Sequence, residues 1–272
     1  MLFAALVSVL VAVFYVAWFL VGGYVYVALI RQVSARTVAS PDAGSAKSFG
    51  LPEAVVAFFL ISLMLVNVVA SVSTPSIGLS ARDLSVNLIL TMVVVLILVG
   101  FLELRGFDVD VSAGLSKLGV GRAIGSGALL LCAAYPLILA TDGITRRFLG
   151  GDSSKQNIVE LFNGSHTIEQ RVLIIVLAVA VAPMAEEFVF RFFIYGVLRR
   201  YIGRFTALIF NALLFGAVHA HIPSFAPLFV LGVCFTIAYE WSGSILVSMT
   251  MHSLFNSLSL IFLAFPELFQ QQ

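Results

Sequence analysis

The chain has 272 residues, of which 61% are hydrophobic and 11% are charged, and its formal net charge is +1. A soluble domain is about half apolar and about a quarter charged, so this composition excludes an ordinary soluble protein. The small net charge gives no electrostatic reason to expect nucleic acid or a strongly acidic partner. Both cysteines lie inside apolar runs, which argues against a disulfide framework or a cysteine-rich zinc site.

Long uncharged runs along the chain predict membrane-spanning helices. Five runs carry no Asp, Glu, Lys or Arg: 2–30, 54–81, 84–102, 123–141 and 222–239. Each is long enough to cross the hydrocarbon layer as a helix, which takes about 20 residues. The first run lacks the basic start of a cleavable signal peptide, so we interpret it as a retained span. Three further apolar segments bring the expected number of spans to eight: 171–200, 205–220 and 241–265.

These runs predict an all-α, polytopic membrane protein with about eight transmembrane helices. We divide it into N-terminal spans and loops, 1–168, and a core of later spans, 169–265, within one integral membrane unit. Three alternate loops, 31–53, 103–122 and 199–204, contain nine of the fifteen Lys and Arg residues. Positive loops favour the cytoplasmic side, so these three are expected there. The longest loop, 142–170, is the best candidate for a mobile or interfacial segment.

Three ionisable residues interrupt the apolar segment 171–200. A charged side chain in the middle of a membrane helix costs about 2.5–3.5 kcal/mol, so each of them needs an explanation. Glu187 and Arg191 are four residues apart, which predicts an ion pair on one helical face, interpreted as a structural clamp. Glu186 is turned about 100° away and has no local partner, which marks it as a functional candidate. Its alternative role is that of a protonated glutamate bonded to a neighbouring helix.

Two histidines and an asparagine fall at comparable depth on later segments. Counting about 1.5 Å per residue from a shared cytoplasmic boundary places Glu186 about 20 Å, His219 about 22 Å and His252 about 13 Å into the membrane. His252 and Asn256 are four apart and face the same way. We therefore expect these side chains to converge on one cavity. The alternative for His219 is an interfacial residue, because it lies at a helix end.

Such a cluster suits hydrolysis by activated water. A carboxylate with a nearby imidazole can remove the proton of a water molecule, and an imidazole with an amide donor can stabilise an oxyanion. The alternative uses a divalent metal such as zinc, with Glu186, His219 and His252 as ligands. There is no HExxH motif, which excludes a zincin-type metalloprotease, and no Asp lies in a predicted span, which excludes a paired-aspartate protease. The Gly-Ser-Gly triplet 125–127 and the Ser-Gly-Ser triplet 242–244 are interpreted as small residues for helix packing, not as serine nucleophiles.

Three motifs resemble those of the CPBP family, which comprises CAAX proteases and bacteriocin-processing enzymes and is also called the ABI family. Residues 186–191 match its EExxxR motif, 215–219 its FxxxH motif and 252–256 its HxxxN motif. All three occur in the family's order, within about the last third of the chain. The resemblance implies an eight-span helical bundle with an internal polar, water-filled cavity, and endopeptidase activity within or near the membrane.

The resemblance also implies roles for residues and partners. Glu186 and His219 would activate water and His252 and Asn256 would hold the oxyanion, while Glu187, Arg191 and Phe215 would support the site. The family has been described both as zinc-dependent and as glutamate-dependent, so zinc is left open. The expected partners are the lipid bilayer and a membrane-associated protein or peptide substrate. Family analogy alone extends this to prenylated CAAX proteins.

Two other functions remain open at this point. One is a non-catalytic bacteriocin-immunity protein or membrane scaffold. The other is a proton- or ion-coupled transporter, which would also use buried Glu and His, although the internal repeats typical of such folds are not evident. In each case we expect a multi-pass protein of the cell membrane.

Overall fold

A computed structural model describes residues 2–39, 47–73, 81–149 and 167–264. Within these ranges every regular element is a helix. The helices are α1 (Leu2–Ala39), α2 (Leu51–Ser73), α3 (Ala81–Leu104), α4 (Val109–Ala113), α5 (Val120–Leu149), α6 (Ile168–Ile202), α7 (Arg204–Ala217), α8 (Ile222–Ser242) and α9 (Ile245–Ala264). Most of the predicted loop 142–170 lies outside the described residues.

Six of these helices are long and apolar enough to cross a membrane: α1, α2, α5, α6, α8 and α9. The prediction of an all-α, polytopic membrane protein is therefore confirmed. The expected count of eight full spans is not confirmed. The apolar part of α3, Leu88–Leu104, and helix α7 are shorter. The 14 residues of α7 rise only about 21 Å, against a hydrocarbon thickness of about 30 Å.

Several helices continue into segments that we predicted to be loops. Helix α5 runs to Leu149 instead of ending near residue 141. Asp142 and Arg146 form an ion pair at 2.8 Å across one turn, and Thr145 Oγ1 donates to the carbonyl of Thr141 at 2.9 Å. Polar groups that bond along the same helix allow it to continue beyond its apolar stretch. A separate short helix, α4, lies within the predicted loop 103–122, and Asp108 caps its first turn.

The positively charged loops meet at one end of the helix bundle, here called the arginine-rich end. Glu53 at the start of α2 lies 3.0 Å from Arg105, just after α3. Glu240 near the end of α8 forms ion pairs with Arg199 and Arg204, the second at 3.0 Å. Nη1 of Arg204 also donates to the carbonyl of Val33 at 3.0 Å. The loops 31–53, 103–122 and 199–204 therefore lie on the same side, as their alternation predicted, and assignment of this side to the cytoplasm stays a prediction.

The two small-residue triplets have different structural roles. A Cβ atom added to Gly127 on α5 would lie 2.7 Å from Cβ of Thr250 on α9, so this glycine permits close helix packing. Gly243 instead adopts a left-handed conformation, with φ +64°, and ends α8 by donating its N–H to the carbonyl of Tyr239 at 2.7 Å. The packing interpretation is thus right for Gly127 but not for Gly125, whose added Cβ would meet no atom within 4 Å, and it is wrong for Gly243, which is a helix cap.

Helix α6 contains two segments of π-helix, Leu177–Val181 and Phe188–Ile194, on either side of Ala182–Glu187. In the first, the N–H of Ala182 bonds to the carbonyl of Leu177, five residues earlier. Pro183 follows directly, and a proline has no N–H to donate. Single π-turns are often found at functional sites, and here they flank the two adjacent glutamates.

Candidate active site

Glu187 and Arg191 form the ion pair that their spacing predicted. Their charged atoms lie 3.0 Å apart and both side chains are fully buried, although the contact lacks the alignment of a hydrogen bond. The Arg191 guanidinium also lies 4.2 Å from the ring centre of Phe215 and 5.1 Å from that of Phe235. Burying a cation costs free energy because it loses its contact with water. The opposite charge of Glu187 and the faces of the two aromatic rings offset that cost together.

The same glutamate binds His252 on α9. Nδ1 of His252 lies 3.0 Å from Oε1 of Glu187, inside the protein. A carboxylate paired with arginine is ionised and can only accept hydrogen bonds, so Nδ1 carries the proton. The other ring nitrogen, Nε2, lies 3.9 Å from Oε2 of Glu186. His252 is therefore placed between the two adjacent glutamates of α6.

Glu186 differs from Glu187 in its surroundings. Its side chain is 29% exposed, whereas that of Glu187 is fully buried. Because successive helical residues are turned about 100° from each other, Glu186 points away from the clamp formed by Glu187 and Arg191. A partly accessible carboxylate 3.9 Å from an imidazole can exchange a proton with a substrate or a water molecule.

His219 lies in the turn that follows α7. Its Nδ1 is 2.8 Å from the backbone carbonyl of Phe215. A carbonyl only accepts hydrogen bonds, so Nδ1 donates and Nε2 of the neutral ring carries a lone pair. The ring of Phe215 contacts both imidazoles, with centre-to-centre distances of 5.1 Å to His219 and 5.7 Å to His252. One aromatic ring thus connects the two histidines of the predicted site.

Asn256 bonds to the first π-turn of α6. Its Nδ2 donates to the carbonyl of Ala178 at 2.8 Å. In a regular helix that carbonyl would accept from residue 182, but the N–H of Ala182 goes to Leu177, and position 183 is a proline. Asn256 therefore supplies a donor that the backbone lacks, and its side-chain amide has a second N–H.

The proposed metal ligands do not form a metal-binding cluster. Across the described ranges, no three His, Cys, Asp or Glu side chains are arranged so that they could hold a metal ion. Nδ1 of His252 is engaged by Glu187 and Nδ1 of His219 by a carbonyl, so each ring has one nitrogen left. Glu186, His219 and His252 are therefore not part of any such group in this arrangement, and zinc as a cofactor stays a prediction.

Sequence reasoning missed two contributors to this region. Phe235 on α8 lies against both His252 and Arg191, at 5.1 Å from each, but belongs to none of the three motifs. The backbone carbonyl of Ala178 likewise belongs to none of the three motifs. Pro183 was the available signal for it, because a proline inside an apolar span leaves a backbone acceptor without its donor.

Polar and charged side chains buried within apolar helices define an integral, multi-pass membrane protein with a candidate hydrolytic centre. Residues 168–258, about a third of the chain, match the family model described as Type II CAAX prenyl endopeptidase Rce1-like. The resemblance to the CPBP family is confirmed over this range, and it supports a membrane endopeptidase similar to CAAX proteases. No curated protein and no solved structure was found to match the chain.

Proposed function

We propose that this protein is a membrane-embedded endopeptidase that hydrolyses a peptide bond by means of activated water. The observation that carries the proposal is the position of His252, with Nδ1 3.0 Å from Glu187 and Nε2 3.9 Å from Glu186. A buried carboxylate orients the imidazole on one side, and on the other side Nε2 lies beside a partly exposed carboxylate, so a donor for an oxyanion is next to a candidate general base.

Glu186 is the general base in this mechanism. It takes a proton from the attacking water as the oxygen forms its bond to the scissile carbonyl carbon. It then returns that proton to the amine as the carbon–nitrogen bond breaks, so protons balance over the cycle. The lone pair on Nε2 of His219 accepts a hydrogen bond from the same water and orients it.

His252 and Asn256 stabilise the oxyanion of the tetrahedral intermediate. Because Nδ1 of His252 already donates to Glu187, Nε2 can donate only when the ring is protonated. The carboxylates of Glu186 and Glu187 lie on either side of that ring, at 3.9 Å and 3.0 Å. The second N–H of Asn256 is the other donor, held in place by the bond of the first to Ala178.

The substrate is a membrane-associated protein or peptide, and a prenylated CAAX sequence is the first to test. The family description supports this choice. Glu186 is sixteen residues from the end of α6 at Ile202, or about 24 Å along the helix axis. A peptide that reaches this carboxylate must therefore enter deeply among the helices, which suits a substrate attached to the bilayer.

The test compares Glu186→Gln with the wild-type protein, both in liposomes. Each is incubated with a prenylated CAAX peptide and a mixed membrane proteome, and new peptide ends are identified by mass spectrometry. Loss of a general base lowers the rate by about 10²–10⁴-fold. Glu169→Gln is the matched control, because Glu169 is exposed on the first turn of the same helix.

We expect new ends with wild type and Glu169→Gln, and none with Glu186→Gln at equal thermal stability in detergent. Cleavage by Glu186→Gln at the wild-type rate would overturn the mechanism. If the folded wild type produces no new ends, the catalytic proposal fails in favour of an immunity or scaffold protein.

A further inference from the structure

A second candidate binding site lies at the arginine-rich end of the helix bundle. A cavity of about 170 Å³ lies between α1, α7 and α8. Its apolar wall comprises Ile30, Val33, Phe205, Ile209, Val233 and Ile237. None of these side chains belongs to the site around Glu186 and His252.

One face of each helix contributes to this cavity. Ile30 and Val33 are three residues apart on α1, while Phe205 and Ile209 on α7 and Val233 and Ile237 on α8 are four apart. Residues at these spacings lie side by side along a helix, so each helix contributes one apolar face, and the three faces line an apolar groove. Phe205 and Ile209 are 60% and 41% exposed, so the groove opens to the surrounding membrane.

The groove ends among polar residues. Arg204 and Glu240, which form an ion pair at 3.0 Å, both line the cavity. Arg199 also pairs with Glu240, and Arg36 donates to the carbonyl of Trp241, the next residue, at 2.8 Å. Two arginines therefore pair with Glu240 and a third bonds to the neighbouring backbone carbonyl, which leaves a local excess of positive charge where the apolar groove ends.

An apolar groove that ends in excess positive charge matches the chemistry of one class of ligand. We propose that it binds an anionic phospholipid, with one acyl chain in the groove and the phosphate group beside Arg36 and Arg204. A zwitterionic lipid would fill the apolar part equally well, but the cation of its headgroup would offset the attraction between its phosphate and the arginines. An anionic headgroup gains electrostatic energy at this depth, where the helix ends meet the polar layer of the bilayer.

The experiment is lipid titration of the purified full chain, followed by native mass spectrometry. The probes are dioleoyl phosphatidylglycerol and dioleoyl phosphatidylcholine, which share acyl chains and differ in charge. Wild type is expected to retain phosphatidylglycerol preferentially. Arg36→Gln should weaken that binding by about fivefold, the effect of one basic residue at a membrane surface, and leave phosphatidylcholine binding unchanged.

A second pair of variants tests the groove itself. Ile209→Trp places a larger side chain in the groove and should abolish retention of phosphatidylglycerol. Phe210→Trp is the matched control, because Phe210 is also exposed, at 57%, but does not line the cavity. Equal retention of both lipids by wild type, or equal binding by the two tryptophan variants, would overturn the proposal. Arg36→Gln keeps it testable if Ile209→Trp does not fold.

Discussion

Glu187 binds His252 and Arg191 through the same carboxylate oxygen. Oε1 lies 3.0 Å from Nδ1 of His252 and 3.0 Å from Nη1 of Arg191. The clamp within α6 is therefore also the support of the imidazole on α9. Any change that displaces Arg191 is expected to alter the position of His252, so stability and activity are coupled at this point.

Replacing Arg191 is expected to destabilise the protein strongly. Arg191→Ala leaves Glu187 buried without its counter-charge, which costs about 3–5 kcal/mol for broken buried pairs. Thermal unfolding in detergent and accumulation in membranes measure the effect. Arg200→Ala is the control, since Arg200 is exposed near the end of the same helix and its loss should change stability by less than about 0.5 kcal/mol. Equal accumulation of Arg191→Ala and wild type would contradict the clamp.

Phe235 is expected to act as a positioning residue for His252. Phe235→Leu keeps an apolar side chain but removes the aromatic face that lies against His252 and Arg191. We expect kcat for peptide cleavage to fall by roughly tenfold with KM unchanged, because a buried cation–π contact contributes about 0.5–2 kcal/mol.

The control for this variant is Phe192→Leu. Phe192 is similarly buried but contacts Phe49 and Phe188 rather than His252 and Arg191. The two variants should lose similar stability, and only Phe235→Leu should lose kcat. If both lower kcat to the same extent, Phe235 has no specific effect on His252.

Asn256 is expected to stabilise the π-turn of α6 in addition to any catalytic role. Asn256→Ala removes the side-chain donor to the carbonyl of Ala178, and an unsatisfied buried acceptor costs about 1–3 kcal/mol. Hydrogen exchange should therefore increase locally around residues 177–182. Asn67→Ala, on an exposed face of α2, is the matched control and should change nothing. Unchanged exchange in Asn256→Ala would show that the bond to Ala178 contributes no local stability.

Proteolysis is expected to survive removal of divalent metals. Glu187 is committed to Arg191 and His252, and the remaining donors do not form a group of three within the described residues. After dialysis against EDTA and 1,10-phenanthroline, kcat/KM should equal that of the untreated enzyme, with metal content checked by mass spectrometry. Loss of activity that one equivalent of Zn²⁺ restores would show that the side chains rearrange to bind a metal.

Sequence reasoning predicted most features that depend on one helix alone. Apolar runs mark the spans because the hydrocarbon layer tolerates few charges, and the spacing of Glu187 and Arg191 predicts their ion pair. Helix ends were less predictable. Side chains such as Asp142 and Arg146 bond along the helix and extend it past the apolar stretch, while α7 has only 14 residues, fewer than the roughly 20 of a typical span.

The amino-acid sequence by itself determined that this is a helical membrane protein with a costly charged segment, and that segment carries the first of the three family motifs. Only the tertiary structure decided which groups meet across helices. His252 lies 65 residues from Glu187 along the chain, and neither this contact nor that of Asn256 with Ala178 follows from spacing within one helix. Contacts of this kind depend on the angles at which helices cross and on side chains such as Phe215 and Phe235 that fill the space between them.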